Sequence, residues 1–432
     1  MDSLVVEGGN PLRGTVPIGG AKNAALPILA ACILAEGPVT LHNVPRLSDV
    51  DFMTLILAEL GVVSRWVGEH SLHLEAVDES AVTAHYDLVR KMRGSFCVLG
   101  PLLGKRGRAV VSLPGGCVIG TRPVDLHLKG LRALGAKLRY ERGYVVGDGS
   151  ELRGGEIYLG GPNGSTCTGT ANVLMAAVLA KGRTTIVSAA CDPEVIDLCR
   201  FLTAMGARIE GIGSPHLVIE GVSRLQGTTY SIIPDRIEAG TFLLAGAITR
   251  GEVTATGAVA DHLTAVLDKL TEMGVEVEAG PDSVTVRSRE AFRPADVTTL
   301  PPPGFPTDLQ AQMTALLALA DGVSVVTERI FPDRFMHVAE LNRMGADIRK
   351  EGPSAIIKGV KELSGAPVMA SDLRASAALI VAGLAARDTT VVNRVYHIDR
   401  GYEHIEQKLG ALGAQVRRVS EFTVPPPLAE GE

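Results

Sequence analysis

Aromatic residues make up only 4% of the 432-residue chain, and Trp66 is its one tryptophan. Basic charge is also scarce: 42 Lys and Arg face 48 Asp and Glu, which gives a formal net charge of −6. Without a basic surplus, nucleic acids and anionic membranes are not expected partners. Hydrophobic residues nevertheless supply 46% of the chain. We therefore expect cores of Leu, Val, Ile and Ala, and at about 150 residues per domain at least two domains.

The six cysteines contain no Cys-x-x-Cys pair and no His-Cys cluster at metal-ligand spacing. This argues against a structural zinc site, and a disulfide framework is not expected in a chain of this length. Charges and glycines interrupt every apolar run well short of a membrane span, and the first residues, MDSLVVEGGN, lack the regions of a signal peptide. We expect a protein of the reducing cytoplasm that needs no metal and no bound organic cofactor.

A Leu-Gly or Met-Gly pair recurs six times, each time at the end of an amphipathic helical pattern. The glycines are 74, 71, 68, 71 and 68 residues apart, at Gly61, Gly135, Gly206, Gly274, Gly345 and Gly413. Each unit also contains a helix that is apolar on all sides, such as NAALPILAACILAEG, and then a β-rich run such as GPVTLHNV. A helix that is apolar all round belongs in the interior. Each unit therefore predicts helix, strand, helix, strand, strand, with buried helices and outer sheets.

Six such units are too many for one core, so we predict two globular halves of three units each. A division near Pro234-Asp235-Arg236 gives a first domain of residues 21–233. Residues 1–20 and 234–432 form the second domain, because the first residues are free to supply a strand there. We predict a disordered tail at about 420–432. The predicted fold class is α/β.

Polar residues mark the starts of the apolar helices. If the units share one orientation, their helix N-termini point the same way, and the partial positive charge and free N–H groups there attract anions. The alternative for several of these residues is ordinary helix capping. Lys22 lacks the GxxxxGK[ST] pattern of a phosphate loop, which disfavours a nucleotide triphosphatase. The candidates are Lys22, Asn23, Arg93, Thr168, Gly169, Thr170, Asp235, Arg236, Asp308, Asp372 and Arg374.

Residues 112–126, SLPGGCVIGTRPVDL, carry the most distinctive motif. Two adjacent glycines give the backbone more freedom than a rigid turn needs, so we predict a mobile tip that carries Cys117. Arg122, five residues on, could lower the pKa of the thiol or bind an anion. Pro123 suits the first position of the following helix. The alternative is a surface turn with an idle cysteine.

Taken together, these motifs closely resemble the UDP-N-acetylglucosamine enolpyruvyl transferase family, in the superfamily of the 5-enolpyruvylshikimate-3-phosphate synthases. The resemblance runs from about Leu4 to Val419. It implies a two-domain inside-out α/β barrel in which each domain has three βαβαββ repeats. The segments on which the resemblance rests are GGAKNAALPILAA, YDLVRKMRGSF, SLPGGCVIGTRPVDLH, PDRIEAGTFL, FPTDLQAQ, DRFMHVAELNRMGA, SDLRASAALIVAG and YHIDRGYEHIEQKL.

The resemblance implies transfer of the enolpyruvyl group of phosphoenolpyruvate to the 3′-hydroxyl of UDP-N-acetylglucosamine, with release of phosphate. This is the first committed step of bacterial peptidoglycan precursor synthesis. By the same resemblance, Cys117 matches the general acid and Asp308 the base, while Lys22, Arg122 and Arg400 match the cations that bind phosphoenolpyruvate. The other residues expected to bind substrate are Asn23, Arg93, Pro123, Val124, Asp125, Leu126, Ile330, Arg334, Asp372 and Arg374.

The chain departs from the family pattern in the segments expected to hold the nucleotide. Ser48 stands where the family commonly has lysine, residues 160–170 lack the usual SVGAT and its preceding lysine, and Asp192 replaces a common glutamate. One alternative is therefore an enolpyruvyl transferase with a different nucleotide-sugar acceptor. Another is a catalytically silent paralogue that binds a sugar nucleotide. A shikimate-type acceptor is disfavoured because the Pro-Gly-Gly-Cys motif belongs to the sugar-nucleotide branch.

Overall fold

The computed structural model describes residues 2–115 and 123–420. Cys117 and Arg122, and all but the first residue of the predicted tail, lie outside the described residues. The α-helices of the described part are α1 (Lys22–Ala31), α2 (Ser48–Glu59), α3 (Tyr86–Val89), α4 (Leu99–Arg106), α5 (Asp125–Ala133), α6 (Cys167–Ala177), α7 (Pro193–Ala204), α8 (Arg236–Ile248), α9 (Thr264–Glu272), α10 (Gln310–Leu317), α11 (Met336–Arg343), α12 (Leu373–Ala385) and α13 (Ile405–Ala411).

Two kinds of helix alternate along the chain, as the repeated pattern predicts. Helices α1, α6, α8, α10 and α12 are buried over nearly their whole length, because most of their residues are apolar or small on every side. Helices α2, α5, α7, α9 and α11 bury one face and expose the other. The helices that are apolar all round therefore lie inside, as the sequence predicts.

Three four-stranded sheets surround the buried helices of the first half. In each sheet a short edge strand runs parallel to its neighbour, and the other pairs are antiparallel. In spatial order the strands are Thr229–Ser231, Val39–His42, Ser71–Ala76 and Val62–Gly68; Thr83–Ala84, Arg108–Ser112, Tyr144–Asp148 and Lys137–Glu141; and Glu156–Tyr158, Arg183–Val187, His216–Glu220 and Arg208–Glu210.

The second half repeats this arrangement, and the start of the chain completes it. Ser3–Glu7 pairs antiparallel with both of its neighbours, and Arg13–Pro17 forms a parallel edge strand. In spatial order the strands are Arg13–Pro17, Glu252–Thr256, Ser283–Arg287 and Glu276–Ala279; Val297–Thr298, Val323–Thr327, Ser354–Lys358 and Asp347–Glu351; and Pro367–Met369, Thr389–Asn393, Ser3–Glu7 and Gln415–Val419. Two-stranded pairs are Ala35–Glu36 with Leu225–Gln226, and Gly160–Gly161 with Gly164–Ser165.

The repeated glycines end the outer helices, as their spacing predicts. All six have positive φ angles, between 74° and 107°. A residue with a Cβ atom rarely adopts this left-handed conformation, whereas glycine adopts it freely after a helix. The six units therefore share one helix end and one change of direction into the next strand.

Two separate hydrophobic clusters fill the two halves. One consists of residues between 21 and 232, and the other of residues between 4 and 16 and between 237 and 414. Helices thus lie inside and sheets outside in both halves, which confirms the predicted two-domain inside-out α/β fold. We propose that the domain boundaries are those predicted above. Among the described helices, none combines the length and hydropathy needed to cross a bilayer.

Candidate active site

A cavity of about 600 Å³ lies where the two halves face each other. The starts of buried helices meet there, as the anion-attracting face predicts: Lys22 begins α1, Arg236 begins α8, and Asp308 lies in the short helix before α10. Of the predicted site residues, those on its wall are Lys22, Asn23, Arg93, Pro123, Asp125, Leu126, Asp308, Ile330, Arg334, Asp372, Arg374 and Arg400.

Asp308 is surrounded by hydrogen-bond donors. Arg334 Nη1 donates to Asp308 Oδ1 at 2.8 Å, and Arg374 Nη2 donates to Oδ2 at 3.0 Å. Asn23 Nδ2, from the first half, also donates to Oδ2, at 3.2 Å. Burial alone would raise the pKa of Asp308, but the two guanidinium groups outweigh it and hold the pKa well below its usual value. Asp308 is therefore an ionised, oriented carboxylate at neutral pH.

Asp49 forms a second charged centre, and it joins the two halves. Its carboxylate is 2.9 Å from Lys22 Nζ and accepts a hydrogen bond of 2.9 Å from Arg400 Nε. Only 1% of the Asp49 side chain is exposed. Burial raises its pKa, but Lys22 and Arg400 together lower it below the usual value. Asp49 is not among the site residues predicted from the sequence, because an acid in the first turn of α2 is an ordinary feature of a helix start.

The helix-capping alternative holds for two of the polar residues. Asp235 Oδ1 accepts hydrogen bonds from the backbone N–H groups of residues 237 and 238, and Asp372 Oδ1 accepts from those of residues 374 and 375. Asn23, Thr170 and Asp308 cap no helix. Asp372 also lies on the cavity wall, so capping and a place in the site are compatible.

A third charged cluster lies on the first-half side of the cavity. Arg236 Nε and Nη2 donate to the two oxygens of Glu194, at 2.9 and 3.2 Å, and Arg236 lies 3.7 Å from Asp192. Burial and the charge of Glu194 raise the pKa of Asp192 to about 6, although Arg236 opposes them. Glu194 is not among the site residues predicted from the sequence, because its partner Arg236 is 42 residues away.

The altered segment at 160–170 forms one edge of the cavity. Its hairpin lines the cavity together with the loop around Pro301 in the second half. Gly164 has a φ of +94°, and a Cβ atom there would lie 2.7 Å from Pro301 Cγ, so no larger residue fits without a shift. Ser48 is not on the cavity wall; its hydroxyl donates to the carbonyl of Asp399 at 3.4 Å.

The segment that follows the undescribed residues is anchored by Arg93, whose Nη2 donates to the carbonyl of Pro123 at 2.8 Å. Asp125 and Leu126, at the start of α5, line the cavity. Val124 instead packs in the hydrophobic cluster of the first half. Its role in substrate binding stays a prediction, as do the roles of Cys117 and Arg122. In residues 2–115 and 123–420, no three His, Cys, Asp or Glu residues gather as a metal site.

Comparisons with known proteins agree with this architecture over the whole chain. Residues 6–409 match the sequence model of the EPSP synthase (3-phosphoshikimate 1-carboxyvinyltransferase) family. A protein named UDP-N-acetylglucosamine 1-carboxyvinyltransferase, from Nitratidesulfovibrio vulgaris, is 55% identical over 422 residues, 98% of this chain and 100% of that one.

Solved structures give the same fold. The enolpyruvyl transferase NikO from Streptomyces tendae has a TM-score of 0.88 and 27% identity, over 97% of this chain and 99% of that one. An EPSP synthase from Acinetobacter baumannii has a TM-score of 0.74, over 97% of this chain and all of that one; at 17% identity it bears on the fold alone. The sequence-based assignment is therefore confirmed: the chain belongs to the EPSP synthase family of enolpyruvyl transferases, in the group of the UDP-N-acetylglucosamine 1-carboxyvinyltransferases.

Proposed function

We propose that this enzyme transfers the enolpyruvyl group of phosphoenolpyruvate to the 3′-hydroxyl of UDP-N-acetylglucosamine and releases phosphate. The observation that carries the proposal is the ionised Asp308 in a cavity that also holds Lys22 and Arg400. The name of the Nitratidesulfovibrio vulgaris relative supports the transferred group and the acceptor. The reaction would supply a precursor of peptidoglycan, in the cytoplasm, with neither nucleic acid nor membrane as a partner.

The cations of the cavity suit phosphoenolpyruvate. This substrate carries a phosphate and a carboxylate, and both need fixed positive charge. Lys22 and Arg400 already converge on one carboxylate, that of Asp49, from opposite halves of the molecule. We assign them, together with Arg122, to the phosphate and carboxylate of the substrate.

The proposed chemistry is an addition followed by an elimination. Cys117 gives a proton to C3 of phosphoenolpyruvate, and the 3′-oxygen of the sugar bonds to C2 while Asp308 takes the hydroxyl proton. The resulting tetrahedral ketal then loses phosphate from C2, and the phosphate takes the proton held by Asp308. The Cys117 thiolate takes back a proton from C3, which restores the double bond. All protons and the phosphate are thus accounted for, both side chains return to their starting states, and no change of oxidation state occurs.

Asn23 is placed to hold the sugar hydroxyl, because its amide already contacts Asp308 at 3.2 Å. Arg93, Pro123, Asp125, Leu126 and Ile330 line the same cavity and are assigned to the rest of the sugar nucleotide. Val124 is assigned there through its backbone, because its side chain is in the core. Arg334 and Arg374 set the charge around Asp308, and Asp372, on the cavity wall, is assigned to substrate binding.

One observation favours a second candidate, a different nucleotide-sugar acceptor. The hairpin strands at the cavity edge, Gly160–Gly161 and Gly164–Ser165, and the two residues between them, carry no cation. A nucleotide diphosphate bound against them would gain hydrogen bonds but no charge neutralisation. The silent-paralogue alternative is less supported, because Asp308, Lys22 and Arg400 are all present.

The test is phosphate release from phosphoenolpyruvate by the purified protein, with UDP-N-acetylglucosamine, other UDP-sugars and shikimate-3-phosphate compared as acceptors. Release that depends on UDP-N-acetylglucosamine is the expected result. Release with another acceptor alone would make the hairpin a specificity determinant. No release with any acceptor would favour the silent paralogue.

The role of Cys117 has its own test. Cys117→Ala should abolish most turnover but leave sugar-nucleotide binding intact, because the proton donor is lost and the cavity is kept. Cys117→Asp should retain activity, because a carboxylic acid can also give a proton, and should resist alkylation by the epoxide fosfomycin. Turnover like that of the wild type in Cys117→Ala would remove the thiol from the mechanism.

A further inference from the structure

Glu328 is a fully buried carboxylate beside the cavity, with an exposed fraction of 0%. It directly follows the strand Val323–Thr327 and precedes Ile330–Arg334, which form part of the cavity wall. Within the part of the chain that the structure describes, no lysine or arginine forms an ion pair with Glu328. A buried charge is costly unless hydrogen bonds satisfy it, so its surroundings explain how it is tolerated.

Four donors surround this carboxylate. Oε1 accepts hydrogen bonds from Thr299 Oγ1 at 2.6 Å and from the backbone N–H groups of Ile330 and Phe331 at 2.8 and 2.9 Å. Oε2 accepts from Thr307 Oγ1 at 2.9 Å. Glu328 thus joins two segments of the cavity wall, the one that leads into Asp308 and the one that leads into Arg334.

The direction of the hydrogen bonds extends this connection to Asp308. A carboxylate only accepts, so the Thr307 hydroxyl must give its single proton to Glu328. Its oxygen is then left to accept from Arg334 Nη1, at 3.0 Å. The same Nη1 donates to Asp308 Oδ1 at 2.8 Å. The charge on Glu328 therefore fixes, through one hydroxyl, the guanidinium that orients Asp308.

We propose that Glu328 is a positioning residue for the transfer reaction, which sets the geometry of Arg334 and Asp308 through Thr307. The inference rests on the proposed function, because it takes Asp308 as the base. Glu328 itself touches neither substrate nor reacting atoms. Its contribution is to hold the base in one orientation, and an error of about 1 Å in such a group can cost about 100-fold in rate.

The decisive variant is Glu328→Gln, which keeps the shape of the side chain. Two backbone N–H groups cannot turn, so the amide oxygen must face them and the amide NH₂ must face Thr307. The hydrogen bond to Thr307 is then reversed, and the hydroxyl competes with Arg334. We expect kcat to fall about 10-fold or more, with the Kd for UDP-N-acetylglucosamine nearly unchanged. The acid limb of the pH profile of kcat should move to higher pH, because a displaced Arg334 depresses the pKa of Asp308 less.

Thr307→Val and Thr307→Ser test the same series of hydrogen bonds at its middle residue, between Glu328 and Arg334. Valine deletes the link and should lower kcat as Glu328→Gln does, whereas serine keeps the hydroxyl and should recover most of the activity. The double variant with Glu328→Gln and Thr307→Val should be no worse than the poorer single variant, because both remove one connection. If Glu328→Gln does not fold, the threonine variants alone decide.

The matched control is Asp197→Asn. Asp197 is also a buried carboxylate, bonded to Tyr230 Oη at 2.6 Å and to the N–H of Ile233 at 3.2 Å, away from the cavity. Asp197→Asn should leave kcat and its pH profile unchanged. The proposal is overturned if Glu328→Gln and Thr307→Val keep the kcat and pH profile of the wild type, or if Asp197→Asn shifts them equally. An inactive wild type would instead refute the proposed function, and this inference with it.

Discussion

Asp308 and Asp49 are both carboxylates in one cavity, and each contacts two cationic side chains, but the origins of those cations differ. Both guanidinium groups on Asp308, from Arg334 and Arg374, belong to the second half. Asp49 lies in the first half and contacts Lys22 from that half and Arg400 from the other, 351 residues away. One centre is thus assembled within a single folded half, whereas the other exists only where the halves meet.

This difference assigns different duties to the two centres. Arg334 and Arg374 orient Asp308 from within the second half, so we infer that the proposed base is in position before substrate binds. The pair of cations at Asp49 depends on how the halves meet, so substrate that binds between them can replace or share their common partner. A substitution of Asp308 should therefore affect the chemical step, whereas a substitution of Asp49 should affect the use of phosphoenolpyruvate.

The largest effect is expected from Asp308→Asn. Loss of the base should lower kcat by about 10²- to 10⁴-fold, the usual contribution of general base catalysis. The affinity for UDP-N-acetylglucosamine should change little, as calorimetry can measure. Asp321→Asn, at an exposed carboxylate after α10, is the control. A tenfold change in rate corresponds to about 1.4 kcal/mol. A kcat within about twofold of the wild-type value would contradict the assignment of Asp308 as the base.

A smaller effect is expected from Asp49→Asn. The amide keeps the shape but not the charge, so Lys22 and Arg400 repel each other and lose their common position. We expect kcat/KM for phosphoenolpyruvate to fall by about 10- to 100-fold, measured by steady-state kinetics. Asp51→Asn, on the exposed side of the same helix, should leave this ratio unchanged. A higher kcat/KM for phosphoenolpyruvate in Asp49→Asn would show instead that Asp49 competes with the substrate for Lys22 and Arg400.

The smallest effect concerns stability and has opposite signs at two centres. The pKa of Asp308 is lowered, so its contribution to stability is present above the usual value of 3.8 and is lost as the pH falls through the lower folded value. The pKa of Asp192 is raised to about 6, so its ionisation costs stability as the pH rises from 3.8 to about 6, and the cost is complete above that.

Asp192→Asn should therefore raise the midpoint of thermal unfolding at pH values above 6 and leave it nearly unchanged below 3.8. Asp308→Asn should lower the midpoint in the higher range, because Arg334 and Arg374 lose their partner. Thermal scans across the pH range measure both. If both variants shifted the unfolding midpoint in the same direction at pH values above 6, the opposite contributions of Asp192 and Asp308 to stability would be refuted.

Regular spacing made much of the fold predictable. The Leu-Gly and Met-Gly pairs predicted six units, and the apolar helices predicted an interior made of helices, because both patterns are local. Motifs also placed Lys22, Asp308 and Arg400 at the cavity. The repeated pattern indicated polar residues at helix starts and in the loops between elements, and the resemblance to the family singled out these three.

The pairing of charges could not be predicted in the same way. Asp49 and Arg400 are far apart in sequence, and nothing near either residue indicates the other. Glu328 follows the end of an ordinary strand, and its hydrogen bonds form only when Thr299 and Thr307 fold around it. Asp372 shows a further limit of prediction from sequence. It both caps a helix and lies on the cavity wall, and an aspartate at a helix start does not by itself distinguish the two roles.

The most direct test of the account is the reaction of UDP-N-acetylglucosamine with phosphoenolpyruvate in D₂O, with the product examined by NMR. Addition at C2 with protonation at C3, and then elimination, should give an enolpyruvyl ether on the 3′-oxygen that carries deuterium in its methylene group. Unchanged UDP-N-acetylglucosamine, attachment at another hydroxyl, or a methylene group free of deuterium would contradict the account.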